Sequence, residues 1–483
     1  MNTMLTVSAI YLVIFIMIGF IATRYFSSSA EGFYLGDRDF GAIPTALSAG
    51  ATDSSGWIFT GAVGFAYAFG VSMMWICVGY TFGYFFNYIC LAPALRRYTK
   101  RTGAMSIPHF FGVRFKEHAK LLRGVSSLII TLFFVIYTSA QLTSAGKAFE
   151  ALVGWDYEHA IWVSAFLGTS YAFLGGYRAV VWTDVVQGSI MLLVLLVSPF
   201  IFIFYLGGWH AFWERAFALD PMLLNATAGI GGYAGFAFAF GLAAGGIGLM
   251  GQPQILQRFI TARDDRTLIT SAVIGVFWMV TVVSGATLIG LICRVIMPTI
   301  HDPEFAFPVL IKDRLHPMVA GIVLAAVFSA ILSTLDSLIM VVSQTVHLDI
   351  IEGVFNKKLS DRWATLVGRI VIVSVGICGA CIALSNTRMV FWFVLYAWAV
   401  MGASFAPPLI LGLYWKRVTA LGALGGIITG GVVTVLWYNT PFLKEIMYEM
   451  LPAALSSTFV TVAVSLMQEA PADGEAQIAL AKR

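Results

Sequence analysis

A polar interruption from Ala46 to Trp57 divides an otherwise apolar run and carries residue types that could bind an ion. It reads ALSAGATDSSGW and contains two glycines and Asp53. A carboxylate deep inside a membrane-spanning segment costs about 2.5 to 3.5 kcal/mol or more unless a partner neutralises it. Non-helical backbone survives at that depth only inside protein or beside a water-filled cavity, where secondary transporters use it to hold cations. The stretch therefore predicts a broken helix that lines an ion and solute site.

A second group of oxygen-bearing side chains lies in the stretch AILSTLDS, which begins at Ala330. Ala330, Ser333, Thr334 and Ser337 fall at i, i+3, i+4 and i+7, on one face of a helix with Asp336 at its edge. Hydroxyl and carbonyl oxygens with little formal charge suit a hard monovalent cation. The alternative is that these hydroxyls only bond back to their own helix. The carboxylate in the same turn favours the cation site.

A third intramembrane acid, Asp184, follows Trp182 and Thr183 near the start of a predicted span. Two interpretations stay open for it. It pairs with Arg178 at the membrane interface, or it contributes to a second ion site.

Another span is broken by glycines from Ala237 to Pro253, AFAFGLAAGGIGLMGQP. Glycines in membrane helices also permit close helix packing, which is the alternative explanation. Two interrupted spans in corresponding halves of a chain, however, indicate an inverted-repeat transporter with its site at the midplane.

The composition places these stretches in an all-α polytopic membrane protein. Of 483 residues, 59% are hydrophobic and 11% are charged, and the mean hydropathy is +0.85. At about 20 apolar residues per span, the chain predicts roughly thirteen membrane helices. The first is a retained span from Leu5 to Thr23, and residues 1–467 form a single transporter domain. The tail 468–483 is rich in Ala, Glu and Asp, which predicts disorder.

The net charge and the short motifs of the chain argue against several classes of function. A net charge of +4 is too small to indicate nucleic-acid binding. No Walker loop and no nucleophile with a base and an orienting partner is apparent, so neither an enzyme nor an ATP-driven pump is expected. Most of the 29 basic residues fall in alternate loops, including Arg24 and the loop around Arg258. The positive-inside rule then puts the N-terminus outside and the C-terminus in the cytoplasm.

Five short motifs make the chain similar to the sodium:solute symporter family, and most to its sodium/proline symporter branch. They are Thr45 to Trp57, Trp182-Thr183-Asp184, Gly251-Gln252-Pro253, Ser333-Thr334 and Tyr396-Ala397-Trp398-Ala399. The resemblance implies a LeuT-type core of two inverted five-helix repeats, here about residues 43–206 and 233–414. One helix precedes this core and two follow it.

The resemblance also implies ion-binding residues. The family's sodium site corresponds to the backbone carbonyls of Ala51, Ser54 and Ala330 and to the hydroxyls of Ser333 and Thr334. Some members have a second sodium site, which corresponds here to Asp184, Ser333, Asp336 and Ser337, whereas others couple a single ion. Asp53 matches an aspartate that members need for sodium coupling, with the expected role of organising the unwound backbone.

For the solute, the resemblance implies a pocket lined by Ser55, Trp57, Tyr137, Gln252 and Pro253. Gly245 and Leu249 replace an aromatic pair of the proline carriers, which predicts a wider and less aromatic pocket.

The sequence thus predicts a lipid-embedded, Na⁺-coupled importer in a bacterial inner membrane, for proline or another small amino acid. The alternatives are a symporter for a short carboxylate, a proton-coupled carrier and a transporter-like sensor. The number of sodium ions and the oligomeric state stay open.

Overall fold

The computed structural model describes residues 29–385 and 390–482, and residues 3, 6–7, 10–11, 13–14, 17–18 and 21 of the N-terminal segment. Much of the predicted first span, Leu5 to Thr23, and Arg24 after it lie outside the described residues, so both stay predictions. Across the described ranges the chain is helical, and its sole extended pairing is one bridge between Phe40 and Ala262.

The first half of the described chain contains nine α-helices. They are α1 Ala30–Leu35, α2 Ala42–Ser54, α3 Gly61–Phe69, α4 Met74–Phe86, α5 Ala92–Thr102, α6 Ile107–Arg114, α7 Ala119–Val153, α8 Tyr157–Tyr205 and α9 Trp209–Leu219. A π-helical turn, Asn87–Leu91, joins α4 to α5.

The second half contains eleven more within the described ranges. They are α10 Gly232–Gly248, α11 Pro253–Ile260, α12 Asp265–Ile296, α13 Ala306–Arg314, α14 Pro317–Gln344, α15 Asp361–Ala383, α16 Phe391–Tyr414, α17 Ala420–Asn439, α18 Pro441–Ile446, α19 Met450–Leu466 and α20 Gly474–Ala481. A π-helical stretch, Thr345–Val354, continues α14.

Length and hydropathy identify the membrane-spanning part. In the part of the chain that the structure describes, nine helical stretches are long and apolar enough to cross a bilayer, and Met450–Leu466 is a shorter apolar helix. Large apolar side chains such as Phe82, Phe204 and Phe459 are exposed on the outer surface, as expected where lipid is the solvent. The protein is therefore a multi-pass membrane protein.

A break at Gly176 divides the long helix α8. The sequence predicts two spans here, one ending at Gly175 and one beginning at Ala179, and the non-helical backbone at Gly176 agrees with that boundary. Gly176 in the kink has φ 58°, and a Cβ there would lie 2.8 Å from the carbonyl oxygen of Phe33. Only glycine combines that left-handed φ with so close a backbone contact.

The C-terminal tail also differs from its predicted disorder, because α20 is helical and packs against the ends of other helices. Tyr98 donates a 2.5 Å hydrogen bond to Gln477, and Arg97 donates to the carbonyl of Ala481 at 2.7 Å. Side chains of α5 thus satisfy the C-terminal carbonyls that a short helix leaves free.

The two interrupted helices lie inside this bundle. Helix α2 contacts α8, α12 and α14, and the turn between α10 and α11 contacts α16. The residues of the turn that follows α2, Gly56–Ile58, are buried. Long helices therefore surround both breaks.

Candidate functional site

The first break separates α2 from α3. Helix α2 ends at Ser54, and Ser55 then takes φ 52° and ψ 177°. A non-glycine residue in this region costs on the order of 1–3 kcal/mol, so its surroundings must hold it. Ser55 Oγ accepts a 3.1 Å hydrogen bond from the amide of Trp57, and Gly56 donates from its amide to Gln141 Oε1 at 2.8 Å. The predicted break is present but begins at Ser55, so Asp53 lies in the last turn of α2.

Hydroxyls of α14 reach the carbonyls that the break leaves free. A helix end leaves its last four carbonyls without intrahelical partners. Ser333 Oγ donates to the carbonyl of Ala51 at 3.0 Å, and Thr334 Oγ1 donates to the carbonyl of Thr52 at 2.9 Å. The same two hydroxyls lie 3.2 and 3.3 Å from the carbonyl of Ala330. Two distant segments thus contribute oxygens to one buried cluster.

Four of the five predicted sodium ligands lie in this cluster, which we call the oxygen cluster: Ala51, Ala330, Ser333 and Thr334. The fifth, Ser54, is the last residue of α2 and is buried, and its hydroxyl has no hydrogen-bond partner within the described residues. Neutral hydroxyl and carbonyl oxygens suit a monovalent cation that must bind and later leave.

The side chain of Asp53 is directed elsewhere. Its Oδ2 accepts a 3.0 Å hydrogen bond from the hydroxyl of Tyr84 on α4, and its Oδ1 has no hydrogen-bond partner among the described residues. The carboxylate therefore contacts α4, whereas the oxygen cluster forms against α14. An organising role for Asp53 stays a prediction.

The residues predicted for a second sodium site contact an arginine. Asp184 Oδ2 accepts from Ser48 Oγ at 2.6 Å and from Arg258 Nη2 at 2.9 Å. Ser337 Oγ accepts from the same nitrogen at 2.6 Å and lies 3.0 Å from Oδ1 of the buried Asp336. Asp184, Asp336 and Ser337 are thus buried near the guanidinium of Arg258, whereas the fourth predicted residue, Ser333, lies in the oxygen cluster.

The interpretation that pairs Asp184 with Arg178 is wrong. Arg178 instead donates to the carbonyl of Gly36 at 3.0 Å and lies 3.6 Å from Asp37. Six residues along one helix correspond to a rotation of about 240°, so the two side chains leave α8 on different faces.

The predicted solute residues of the first break lie beside helices α7 and α16. Trp57 stacks on Phe391, with ring centroids 5.7 Å apart. Tyr137 is buried on α7, one turn before Gln141, which accepts the amide of Gly56. Ser55 is fully buried. Tyr137 thus lies beside the non-helical backbone that contains Ser55 and Trp57, and a solute pocket at this place stays a prediction.

The second break runs from Leu249 to Gln252, where α10 ends and α11 begins. Asn87 Nδ2 donates to the carbonyl of Leu249 at 3.0 Å, and Gln252 Nε2 donates to the carbonyl of Trp398 at 2.9 Å. Pro253 occupies the first position of α11, where its missing N–H costs no hydrogen bond.

The surroundings of Gly245 differ from the predicted wider, less aromatic pocket. A Cβ on Gly245 would lie 3.2 Å from the ring of Tyr80 and 4.0 Å from that of Tyr448. Tyr80 stacks on Trp398 with ring centroids 5.7 Å apart, and Trp398 Nε1 donates to the carbonyl of Gly245 at 3.0 Å. Aromatic rings from other segments therefore occupy this side of the break.

Sequence reasoning missed Tyr84, Gln141 and Arg258. The sequence predicts an inward loop around Arg258, but Arg258 lies within α11 and its side chain is 1% exposed. The available signal was the spacing of Gln254, Gln257 and Arg258, which puts three polar side chains on one face of a short helix after a proline.

Sequence comparisons show which proteins this chain is similar to. A model of the sodium:solute symporter family matches residues 33–430. The sodium/proline symporter of Staphylococcus aureus (strain JH9) is 36% identical over 96% of this chain and 92% of its own length. The osmoregulated proline transporter OpuE of Bacillus subtilis (strain 168) is 34% identical over 96% of this chain and 94% of its own length.

Solved structures support the fold. A Na⁺-coupled sialic acid symporter in a substrate-bound outward-open state has a TM-score of 0.80 at 18% identity, over 97% of this chain and 98% of that chain. The transporter MhsT in complex with L-phenylalanine has a TM-score of 0.52 at 12% identity, over 88% of this chain and 98% of that chain. The predicted LeuT-type fold is confirmed. With a family model covering most of its length and relatives above 30% identity, the chain belongs to the sodium:solute symporter family, whose members are transporters rather than enzymes.

Proposed function

We propose that the protein is a sodium-coupled importer of proline, or of another small amino acid, that works by alternating access. The observation that carries this proposal is the contact between Ser333 and Thr334 of α14 and the carbonyls at the end of α2. It joins the two segments that a coupling ion must hold together.

Na⁺ would bind at the oxygen cluster by replacing hydrogen bonds with ion contacts. The hydroxyl protons of Ser333 and Thr334 turn away, so that their oxygens and the carbonyl oxygens of Ala51 and Ala330 face the ion. The carbonyl of Ser54 is the proposed fifth ligand. Since these oxygens come from α2 and α14, a bound ion fixes the first break against α14.

Solute binding depends on the same ordering of the first break by the bound ion. The first break carries Ser55 and Trp57, so an ion that fixes this backbone also positions the solute pocket. By linkage, a solute that binds the ordered pocket raises the affinity for Na⁺ by the same factor. Amides at the beginning of the half-helices α3 and α11 would face the solute carboxylate, because a helix N-terminus favours negative charge.

We propose proline as the solute because two relatives that match nearly the whole chain are named for proline transport. The membrane potential contributes about 2.3 kcal/mol per charge per 100 mV, enough for roughly fifty-fold accumulation from the electrical part alone.

We place the protein in the bacterial inner membrane with its N-terminus outside and its C-terminus, including α20, in the cytoplasm.

Purified protein in proteoliposomes tests this function. With an inward Na⁺ gradient, we expect labelled L-proline to accumulate, and replacing Na⁺ by choline at fixed pH to abolish accumulation. Uptake that persists in choline and follows a pH gradient would identify a proton-coupled carrier. Binding without accumulation would identify a sensor, and competition by short carboxylates but not amino acids would reassign the solute.

A further inference from the structure

Gln141 on α7 brings a buried amide group directly beside the first break. The residue is fully buried, and its Oε1 accepts the backbone N–H of Gly56 at 2.8 Å. A Cβ on Gly56 would lie 2.5 Å from Oγ of Ser144, so the non-helical backbone packs closely against α7. Gln141 therefore contacts the turn that contains the proposed solute residues Ser55 and Trp57.

The contact with Gly56 fixes the orientation of the amide group. A backbone N–H needs an acceptor, so the atom of Gln141 that faces Gly56 is the oxygen, and the nitrogen lies on the other side of the group. Within the described residues, Nε2 of Gln141 has no hydrogen-bond partner. A buried donor without an acceptor is unfavourable. Its N–H groups are therefore available to an acceptor from outside the chain.

Two buried cations near the breaks are already engaged. Arg258 is bound to Asp184 at 2.9 Å, and Lys147 is bound to Asp302 and Glu304. Neither is available to the carboxylate of an amino acid solute. Neutral N–H donors beside the first break are therefore the candidates for binding that group.

The indole of Trp57 adds a second donor of this kind. Its Nε1 is buried and has no hydrogen-bond partner in the part of the chain that the structure describes. Trp57 directly follows Gly56, the residue whose amide Gln141 holds. Both oxygens of a carboxylate accept hydrogen bonds, and those bonds are stronger than bonds to a neutral carbonyl. An amide and an indole next to each other along the break thus suit a carboxylate.

We infer that Gln141 binds the carboxylate of the solute through Nε2 while its Oε1 holds the first break. This inference rests on the proposed function and adds a side chain to the backbone amides of the half-helices. It makes Gln141 a specificity-determining residue. A solute with an amide in place of the carboxylate brings N–H donors to a site that already offers donors, which leaves buried groups unpaired.

Competition between L-proline and L-prolinamide tests this assignment. In proteoliposomes with an inward Na⁺ gradient, each unlabelled compound is titrated against the uptake of labelled L-proline, and L-proline should be the stronger inhibitor of the wild-type protein. Gln141→Met removes the amide group, and Gln141→Glu keeps an oxygen for the N–H of Gly56. In both variants we expect the preference for L-proline over L-prolinamide to fall about tenfold or more, as for loss of a hydrogen bond to a charged group. A purely structural role would weaken both compounds equally, and an unchanged preference would therefore overturn the inference.

Gln187→Met is the matched control. Gln187 on α8 is also fully buried, and both polar atoms of its amide lack partners among the described residues, so its removal loses no hydrogen bond. The preference should stay at the wild-type value, and an equal fall in Gln187→Met and Gln141→Met would contradict a specific role for Gln141.

The wild-type protein provides a test that does not depend on variants. If the Gln141 variants are inactive, a cryo-EM structure with bound L-proline decides. A carboxylate oxygen within about 3.2 Å of Gln141 Nε2 supports the inference, and a carboxylate bound elsewhere overturns it. Absence of Na⁺-dependent uptake by the wild-type protein would instead overturn the proposed function, and this inference with it.

Discussion

The hydroxyl of Tyr84 donates a 3.0 Å hydrogen bond to Oδ2 of Asp53, and this contact directs the carboxylate toward α4. Both residues are buried. The residue that sequence reasoning places at the centre of ion coupling therefore contacts a tyrosine of another helix, while its neighbours Ala51 and Thr52 contact α14. We infer that Asp53 acts on the ion through the conformation of the first break.

This contact predicts graded effects on sodium dependence. Tyr84→Phe leaves the charge of Asp53 without its donor, and a hydrogen bond to a charged group contributes about 1.5–3 kcal/mol. We expect the Na⁺ concentration for half-maximal proline uptake to rise on the order of tenfold. Asp53→Asn, which removes the charge, should abolish Na⁺ stimulation. A Na⁺ titration of uptake in proteoliposomes measures both.

Tyr88→Phe is the control for this pair. Tyr88 lies one turn further along and is buried, and within the described residues its hydroxyl has no hydrogen-bond partner. The same atom is removed without loss of a contact to Asp53, so the Na⁺ titration should stay at the wild-type value. Equal effects of the two Phe variants would argue against a specific role for Tyr84.

The hydroxyls of Ser333 and Thr334 should be needed for sodium binding rather than for folding. The double change Ser333→Ala and Thr334→Ala removes two proposed ligands, and we expect Na⁺-stimulated uptake to disappear while the protein remains in the membrane. Ser343→Ala removes a hydroxyl of the same helix that bonds to the carbonyl of Gly368 at 3.0 Å, and its uptake should persist. Unchanged sodium dependence in the double variant would remove the main support for the proposed ion site.

Close backbone packing at the second break predicts that Gly251 tolerates no side chain. A Cβ there would lie 2.8 Å from the amide of Ala406 and from the carbonyls of Gly402 and Met401. Backbone atoms cannot rotate away, so Gly251→Ala should destabilise the protein by about 1–3 kcal/mol. Thermal unfolding of the detergent-purified variant measures this.

Gly231 provides the comparison, because a Cβ at that position meets nothing within 4 Å. Gly231→Ala should unfold at the wild-type temperature. If Gly251→Ala does so as well, the packing of α16 against the second break is looser than described.

The sequence could predict features set by local spacing, but not those set by long-range contacts. The i, i+3, i+4 pattern correctly placed Ser333 and Thr334 on one face, and the glycines and Gln-Pro indicated the second break. The partner of Asp184 could not be found this way, because Arg258 lies 74 positions away and periodicity within a helix says nothing about which helices meet. The sequence predicts the beginning of the first break too early, for another reason. The stretch from Ala46 to Ser54 is polar, but it remains helical because its polar groups form hydrogen bonds to residues of α4, α8 and α14.

Lys147 shows again that sequence spacing does not predict long-range contacts. Its position near a helix end predicts a side chain that reaches water at the membrane interface. In the structure its side chain is 3% exposed and lies 2.9 Å from Asp302, with Glu304 as its second partner. Glu304 Oε1 also accepts the amide of Phe391 at 2.9 Å, and the Phe391 ring stacks on Trp57. These contacts link the segment around Asp302 and Glu304 to α7 and α16 on the side that we propose to be extracellular, and we expect them to hold that side closed.

Removing the charge of Lys147 should therefore favour opening on that side. Lys147→Met leaves two carboxylates without their cation, and breaking a largely buried ion pair is strongly unfavourable. The test uses Phe65→Cys, whose native ring stacks 4.8 Å from that of Phe391, in a background without the five native cysteines. We expect its reaction with a membrane-impermeant maleimide to accelerate on the order of tenfold, which corresponds to a change of about 1.4 kcal/mol in the free energy of closing.

Lys312→Met is the control, since Lys312 is exposed and bonds only the carbonyl of Ala151 among the described residues. Equal labelling rates in Lys147→Met and the parent protein would mean that closure does not depend on this cation.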